Sequence, residues 1–159
     1  MMDYKKTVVQ DAESAETYYF EDDAKRILDI LNEFQERLPS LQQGEEYRAQ
    51  MAEKFAKHAC FLVLCLNGRK IGFSAFYAND SDTKSAFISQ IAVLKEYSRR
   101  NFGGKLLDLV SSTAKARGML WLRLEVRKDN SAARRFYEKN GFQEVSEASK
   151  DSMYLQKHI

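Results

Sequence analysis

The feature that most constrains this chain is a change of hydrophobic period near residue 60. Before it, apolar residues recur at helical steps. After it, they come in short runs broken by turn signals. A chain that changes period in this way must lay helix faces against a sheet to bury both. Thr7 to Gln10 reads as a strand-like start and is followed by polar sequence. Asp22 or Asp23 can cap a helix with Ala24, Ile27, Leu28, Leu31, Phe34 and Leu38 on one stripe. Pro39 is expected to end it. A second helix is expected over residues 45–58, with Tyr47, Met51 and Phe55 at steps of four.

Beyond the change, residues 60–66 are an apolar run, Asn67-Gly68 is a hairpin signal, and residues 70–78 form a second strand. A polar connection over residues 79–85 leads to a third strand, 86–94. Residues 103–117 read as a helix with Leu106, Leu107, Val110 and Ala114 inward and Gly118 as its stop. Residues 119–126 are a strand and 132–139 a helix ended by Asn140-Gly141; 142–146 and 152–156 are candidate closing strands. The expectation is a mixed α/β sheet with helices on both faces, in one domain over residues 1–159. The strand-helix-strand unit over residues 88–126 should be a right-handed parallel crossover.

Composition narrows the function classes. With 44% hydrophobic and 30% charged residues, the chain reads as an ordinary soluble globule with enough length for a core. A net charge of +2 is too weak to argue for nucleic acid. No apolar run approaches the ~20 residues of a membrane span, so no membrane partner is expected. The N-terminus has no apolar signal region. Cys60 and Cys65 would point to opposite faces of one strand, which disfavours a disulfide and fits a reducing cytoplasm. His58 precedes Cys60 without completing a zinc pattern, so no metal is expected.

Two segments carry chemistry. The first is the turn KEYSRRNFGGK, which runs from a strand into a helix. Free backbone N–H groups and the positive end of the helix dipole collect at such a place, and phosphates bind there. Arg99, Arg100 and Lys105 add charge, although the turn is neither a Walker A loop nor a dinucleotide turn. The plainer reading is a solvated basic loop. The second segment is NSAARRFYEKNGF, residues 130–142. It looks like a short helix that opens on an Asn, carries a Tyr seven residues on and stops at Gly-Phe.

Together these residues resemble the GNAT acetyltransferase superfamily. The likeness rests on three features in order. They are the strand end Ile91-Ala92-Val93, the turn from Ser98 to Lys105, and LEVRKDN followed by Ala133, Tyr137 and Gly141-Phe142. It covers residues 60–159; the residues before them match in element order only. The resemblance implies a mostly antiparallel sheet of about six to seven strands with one splayed parallel pair, flanked by about four helices. It also implies acetyl-CoA in the V-shaped opening of that pair. The backbone of Ile91, Ala92 and Val93 would bond the pantetheine. The amides of Arg99, Arg100, Asn101, Phe102, Gly103, Gly104 and Lys105 would hold the pyrophosphate. Asn130 would contact the pantetheine, with Ala133 beside it, and the Tyr137 hydroxyl would approach the thioester sulfur. Ser98 stands where the family has Arg or Gln, and Asn101 replaces the first turn glycine; Asn tolerates positive φ better than most residues.

Acetyl transfer to an amine needs a deprotonated nucleophile, a stabilised oxyanion and an acid for the departing thiolate. Tyr137 suits the last role; its plainer reading is a helix aromatic packed on the sheet. Glu125 is the candidate base, as in the similar ribosomal-protein N-terminal alanine acetyltransferases. Its plainer reading is an ion pair with Arg123 or Arg127. Asp80 and Asp82 are alternatives, and the N–H of Val93 is an oxyanion donor by resemblance. Tyr18, Tyr19 and Phe20 could line an acceptor pocket or belong to the core. His58 and His158 read as helix-end and tail residues, and Arg134 and Arg135 as an exposed helix face. The resemblance implies an N-acetyltransferase acting on a small amine or a peptide N-terminus, as a monomer or homodimer. The alternative is a non-catalytic module of the same fold that binds a CoA-like ligand or a protein partner.

Overall fold

A computed structural model describes residues 7–11 and 14–159. The first elements are β1 (Thr7–Asp11), β2 (Ser14–Phe20), α1 (Ala24–Glu33), α2 (Glu45–His58), β3 (Cys60–Leu66) and β4 (Arg69–Tyr77). There follow β5 (Ser85–Val93), α3 (Phe102–Ala116), β6 (Trp121–Arg127), α4 (Ser131–Lys139), β7 (Gln143–Glu147) and β8 (Ser152–His158). The eight strands form one sheet in the order β1-β2-β3-β4-β5-β6-β8-β7. The pair β5–β6 is parallel, whereas β1–β2, β2–β3, β6–β8 and β7–β8 are antiparallel. The mixed sheet, its parallel pair and four α-helices agree with expectation. The additional strand is β2.

After β1 the sequence reads only as polar, with no strand at β2. Its Thr-Tyr-Tyr-Phe run is instead strong strand sequence. It pairs with β3 from Glu16↔Leu66 to Phe20↔Leu62 and with β1 on its other edge.

The chain divides into two compact units. The first holds residues up to Ala75 with Gln90–Leu107, and the second holds Phe76–Ser89 with Asp108–Ile159. In the first unit, Asp23 caps α1 by accepting from the Arg26 N–H at 3.0 Å. Ile27, Ile30, Leu31 and Phe34 are buried, and the Phe34 ring meets Phe73 at 5.2 Å, which in turn stacks on Phe61 at 5.1 Å. Burying side chains of this size contributes about 1.5–3 kcal/mol each. The helix ends at Glu33, short of Pro39. Leu38 is extended (φ −133°, ψ 118°), as a residue before proline prefers. Pro39 therefore opens a second 3-10 turn, Pro39–Gln43, after a first at Gln35–Arg37. The buried Arg48 of α2 fastens this connection, donating to Asn32 Oδ1 at 2.6 Å and to the Leu41 carbonyl at 2.7 Å.

In the second unit, β6 pairs with β8 along its whole length, from Trp121↔His158 to Arg127↔Ser152. Its parallel ladder with β5 is shorter, running from Ser85↔Trp121 to Ile88↔Leu124. Beyond Leu124, strand β6 keeps its β8 partner alone among the described residues. β7 begins at Gln143, because Phe142 belongs to the end of α4 (below). The inward residues expected of α3, Leu106, Leu107, Val110 and Ala114, are buried, and Cys60 and Cys65 are buried and form no disulfide. Among the described residues, no helix is long and apolar enough to cross a membrane.

Candidate active site

In the first unit, the end of β5 supplies backbone groups. The Leu94 N–H donates to the Ile71 carbonyl of β4 at 2.8 Å, so by strand alternation Val93 turns its N–H and C=O to the opposite edge. Arg37 Nε occupies the Val93 carbonyl at 2.8 Å. A cleft of about 930 Å³ lies beside this contact, lined in part by Glu33, Glu36, Arg37 and Leu94.

The turn that follows is built on two non-glycine residues in the left-handed region, Arg99 and Asn101, each at φ 63°. Asn101 thus adopts the conformation that the missing glycine would have supplied. Its carbonyl accepts the Lys105 N–H at 3.2 Å, the first bond of α3. That amide is therefore engaged, and the free N–H groups at the helix start lie before it. A Cβ on Gly104 would come within 2.5 Å of Asn101 Oδ1, so the Asn101 side chain fits against the bare backbone of Gly104. The Lys105 ammonium pairs with Glu16 of β2 rather than standing free over the turn. Arg100 lies over the rings of Tyr97 at 5.5 Å and Phe102 at 5.4 Å. Arg99 is exposed.

In the second unit, residues 130–142 form one capped helix. Asn130 Oδ1 accepts the Ala133 N–H at 3.1 Å, which leaves its amide N–H groups and one Oδ1 lone pair to meet a ligand. At the other end Gly141 has φ 91°. The Phe142 N–H returns to the Tyr137 carbonyl at 3.0 Å and the Gly141 N–H to Glu138 at 3.0 Å, a Schellman cap. The Phe142 ring then packs edge-on against Tyr137 at 5.5 Å, with Phe136 at 5.2 Å on the other side. The Gly-Phe pair thus fixes the catalytic candidate itself. The Tyr137 hydroxyl has no hydrogen-bond partner among the described residues. Burial pushes its pKa to about 12.

Glu125 does not take the ion-pair role. Arg127 binds Asp129 at 3.2 Å, and Arg123 lies over the Tyr154 ring at 4.2 Å. The Arg127 hydrogen bond and charge hold Asp129 below the usual carboxylate range. Glu125 accepts from Ser152 Oγ at 2.8 Å.

A family model, described as the acetyltransferase (GNAT) family, matches residues 24–142. The chain belongs to that family. A chloroplastic relative of Arabidopsis thaliana, "GCN5-related N-acetyltransferase 7", is 36% identical over 75 residues. That match covers 46% of this chain and 27% of the relative, so the chain spans about a quarter of the relative's length. A crystal structure from Bacillus anthracis described as a putative streptothricin acetyltransferase, in complex with acetyl coenzyme A, is 27% identical, with a TM-score of 0.58. The match covers 64% of this chain and 63% of that one. The ribosomal-protein-S18-alanine N-acetyltransferase of Escherichia coli is 22% identical, with a TM-score of 0.70 and coverage of 89% and 94%. At that identity the likeness shows the fold.

The remaining residues that the sequence singled out take other places in this GNAT chain. Asp80 shapes a turn, accepting from the Asp82 and Thr83 N–H groups at 3.1 and 3.0 Å, and these bonds lower its pKa. Tyr18, Tyr19 and Phe20 lie on β2 and are half-buried. His58 ends α2, whereas His158 lies in β8 with its ring 5.0 Å from Trp121. Arg134 is not a free surface charge: it donates to the Lys128 carbonyl at 3.1 Å and binds Glu144 at 2.7 Å. Among the described residues, no group of three or more His, Cys, Asp or Glu side chains is placed to hold a metal. Sequence reasoning missed Glu16, Arg37 and Ser152. The strand sequence of β2 could have drawn attention to Glu16. Arg37 and Ser152 carry no local signal, since their partners are 56 and 27 residues away.

Proposed function

We propose that this acetyltransferase moves the acetyl group of acetyl-CoA directly to a primary amine, either a small amine or a peptide N-terminus, with Tyr137 as the acid. The observation that carries this reading is the Tyr137 side chain: on a helix ended by a Schellman cap, its hydroxyl without a hydrogen-bond partner among the described residues, and its pKa pushed up to about 12 by burial. The phenol stays protonated at neutral pH. A full transfer from it to a free thiolate, whose thiol has a pKa of ~8.5, runs uphill. It therefore donates a hydrogen bond to sulfur as the C–S bond breaks, and releases its proton as it regains one from the newly formed ammonium. The neutral amine forms the C–N bond to the thioester carbon, and by resemblance to the family the Val93 N–H would donate to the oxyanion. Glu125 accepts the proton that the acceptor ammonium must lose, through a water. Coenzyme A leaves as the thiol.

The donor assignment is supported by the acetyl coenzyme A bound to the Bacillus anthracis enzyme. Its pyrophosphate would sit on the amides of residues 99–104, with Arg99 and Arg100 near. The peptide option has support from the alanine acetyltransferase fold and the LEVR strand.

Calorimetry with acetyl-CoA tests the donor; no heat at high micromolar ligand ends the enzyme reading. Thiol release with spermidine, glucosamine and an alanine-initiated peptide then tests the acceptor. The second reading, a non-catalytic module of the same fold, is favoured by one observation. The Lys105 charge at the turn is already engaged by Glu16. Binding of CoA without thiol release from any of the three amines would select it.

A further inference from the structure

We propose that Ser152 and Ser149 are positioning residues for Glu125, forming a hydroxyl chain that commits one carboxylate oxygen and leaves the other for the acceptor. The proposal rests on the reading of Glu125 as the base. Ser152 Oγ lies 2.8 Å from Glu125 Oε1, and Ser149 Oγ lies 2.8 Å from Ser152 Oγ. The Asp151 N–H donates to Ser149 Oγ at 3.2 Å.

Proton bookkeeping sets the direction of this chain. A carboxylate acting as a base is an acceptor only, so the single proton of Ser152 must go to Glu125. Ser152 then accepts from Ser149, whose own oxygen receives the Asp151 N–H. Every proton points towards Glu125. Oxygen Oε1 is thereby held as an acceptor, while Oε2 has no partner among the described residues. Bonds aligned head to tail polarise and strengthen one another.

The surroundings leave this orientation to the serines. Each nearby cation is occupied: Arg123 over Tyr154, Arg127 with Asp129, and Lys128 with Glu147. Tyr154 faces Glu125 across the ladder and Ser152 faces Arg127, so Ser152 reaches Glu125 diagonally. Ser152 is only 8% exposed, whereas Ser149 is exposed at the bend between β7 and β8. The Ala148 and Ser149 N–H groups both bond the Ser152 carbonyl, at 3.0 and 3.2 Å, and hold that bend in shape.

The test is steady-state kinetics with acetyl-CoA and whichever of the three amines above gives the fastest thiol release. Ser152→Ala should lower kcat about tenfold, the effect of losing one hydrogen bond to a charged group. The KM for acetyl-CoA should hold. Ser152→Thr should restore most of the rate. In a Glu125→Gln background, Ser152→Ala should add nothing, since it acts only through Glu125. Wild-type turnover in Ser152→Ala, or a loss of full size in the Glu125→Gln background, overturns the positioning role. If Glu125→Gln itself turns over normally, the base reading falls and the serine chain falls with it. A slow Glu125→Gln beside a normal Ser152→Ala removes the serines alone.

Discussion

The turn of residues 98–105 and the helix of residues 130–142 both carry the chain's sequence likeness to the GNAT family, and this chain builds them by different means. The helix closes on itself. Its Asn130 cap, its Schellman end and its three rings are all local, and together they present one hydroxyl with no partner among the described residues. The turn departs from the family pattern and is held by non-glycine residues at positive φ and by a lysine tied to a distant strand. A locally determined motif can be read in the sequence and trusted at its reactive atom. A motif held by distant partners keeps its shape while its charges are spent elsewhere.

The largest expected effect breaks the helix side of this comparison. Tyr137→Phe should lower kcat by about 10²–10⁴, the usual range for a lost acid, with acetyl-CoA affinity by calorimetry little changed. Equal turnover would remove Tyr137 from the chemistry. The same group makes a statement about pH. Burial raises its pKa from about 10 to about 12, so the protonated form is favoured in the fold. The stability this contributes is present below about pH 10 and is lost only as pH rises towards about 12. The rate should therefore show no falling limb from this phenol below about pH 11. A limb near the ordinary phenol value, absent in Tyr137→Phe, would contradict the burial argument.

Gly141→Ala should cost roughly 1–2 kcal/mol in urea unfolding, since a Cβ is penalised at positive φ. It should also slow turnover, because Phe142 and Tyr137 share that cap. A stability loss with normal kcat would separate the cap from the hydroxyl. On the turn side, Gly104→Ala forces Asn101 Oδ1 aside and should weaken acetyl-CoA binding by about tenfold, the worth of one charge-assisted bond. Calorimetry with no change would show that the Asn101 side chain does not shape the phosphate site. The smallest effect is expected of Glu16→Gln, under about 1 kcal/mol for a part-exposed pair. If the freed Lys105 then reaches the pyrophosphate, acetyl-CoA affinity rises and falls more steeply with salt. Unchanged affinity would show that the turn never needed that charge.

The sequence by itself determined the elements whose reasons are local. Helix α2 lies over the residues its periodicity marks. The hairpin at Asn67-Gly68, the Asn130 cap and the Gly141 stop follow from backbone preferences a few residues long. The strand-helix-strand unit follows from period and order. The sequence therefore carried the fold class and the position of Tyr137. The pre-proline rule accounts for the extended Leu38 but not for the end of α1 at Glu33, which no residue signal marked. Only the tertiary structure decided where the charges go. Glu125 turns to Ser152 rather than to the arginines on either side, Lys105 turns to Glu16, and Arg37 takes the Val93 carbonyl. Long polar side chains have several partners within reach at similar energy. The choice among them depends on which segments the sheet brings together, and no spacing along the chain encodes it.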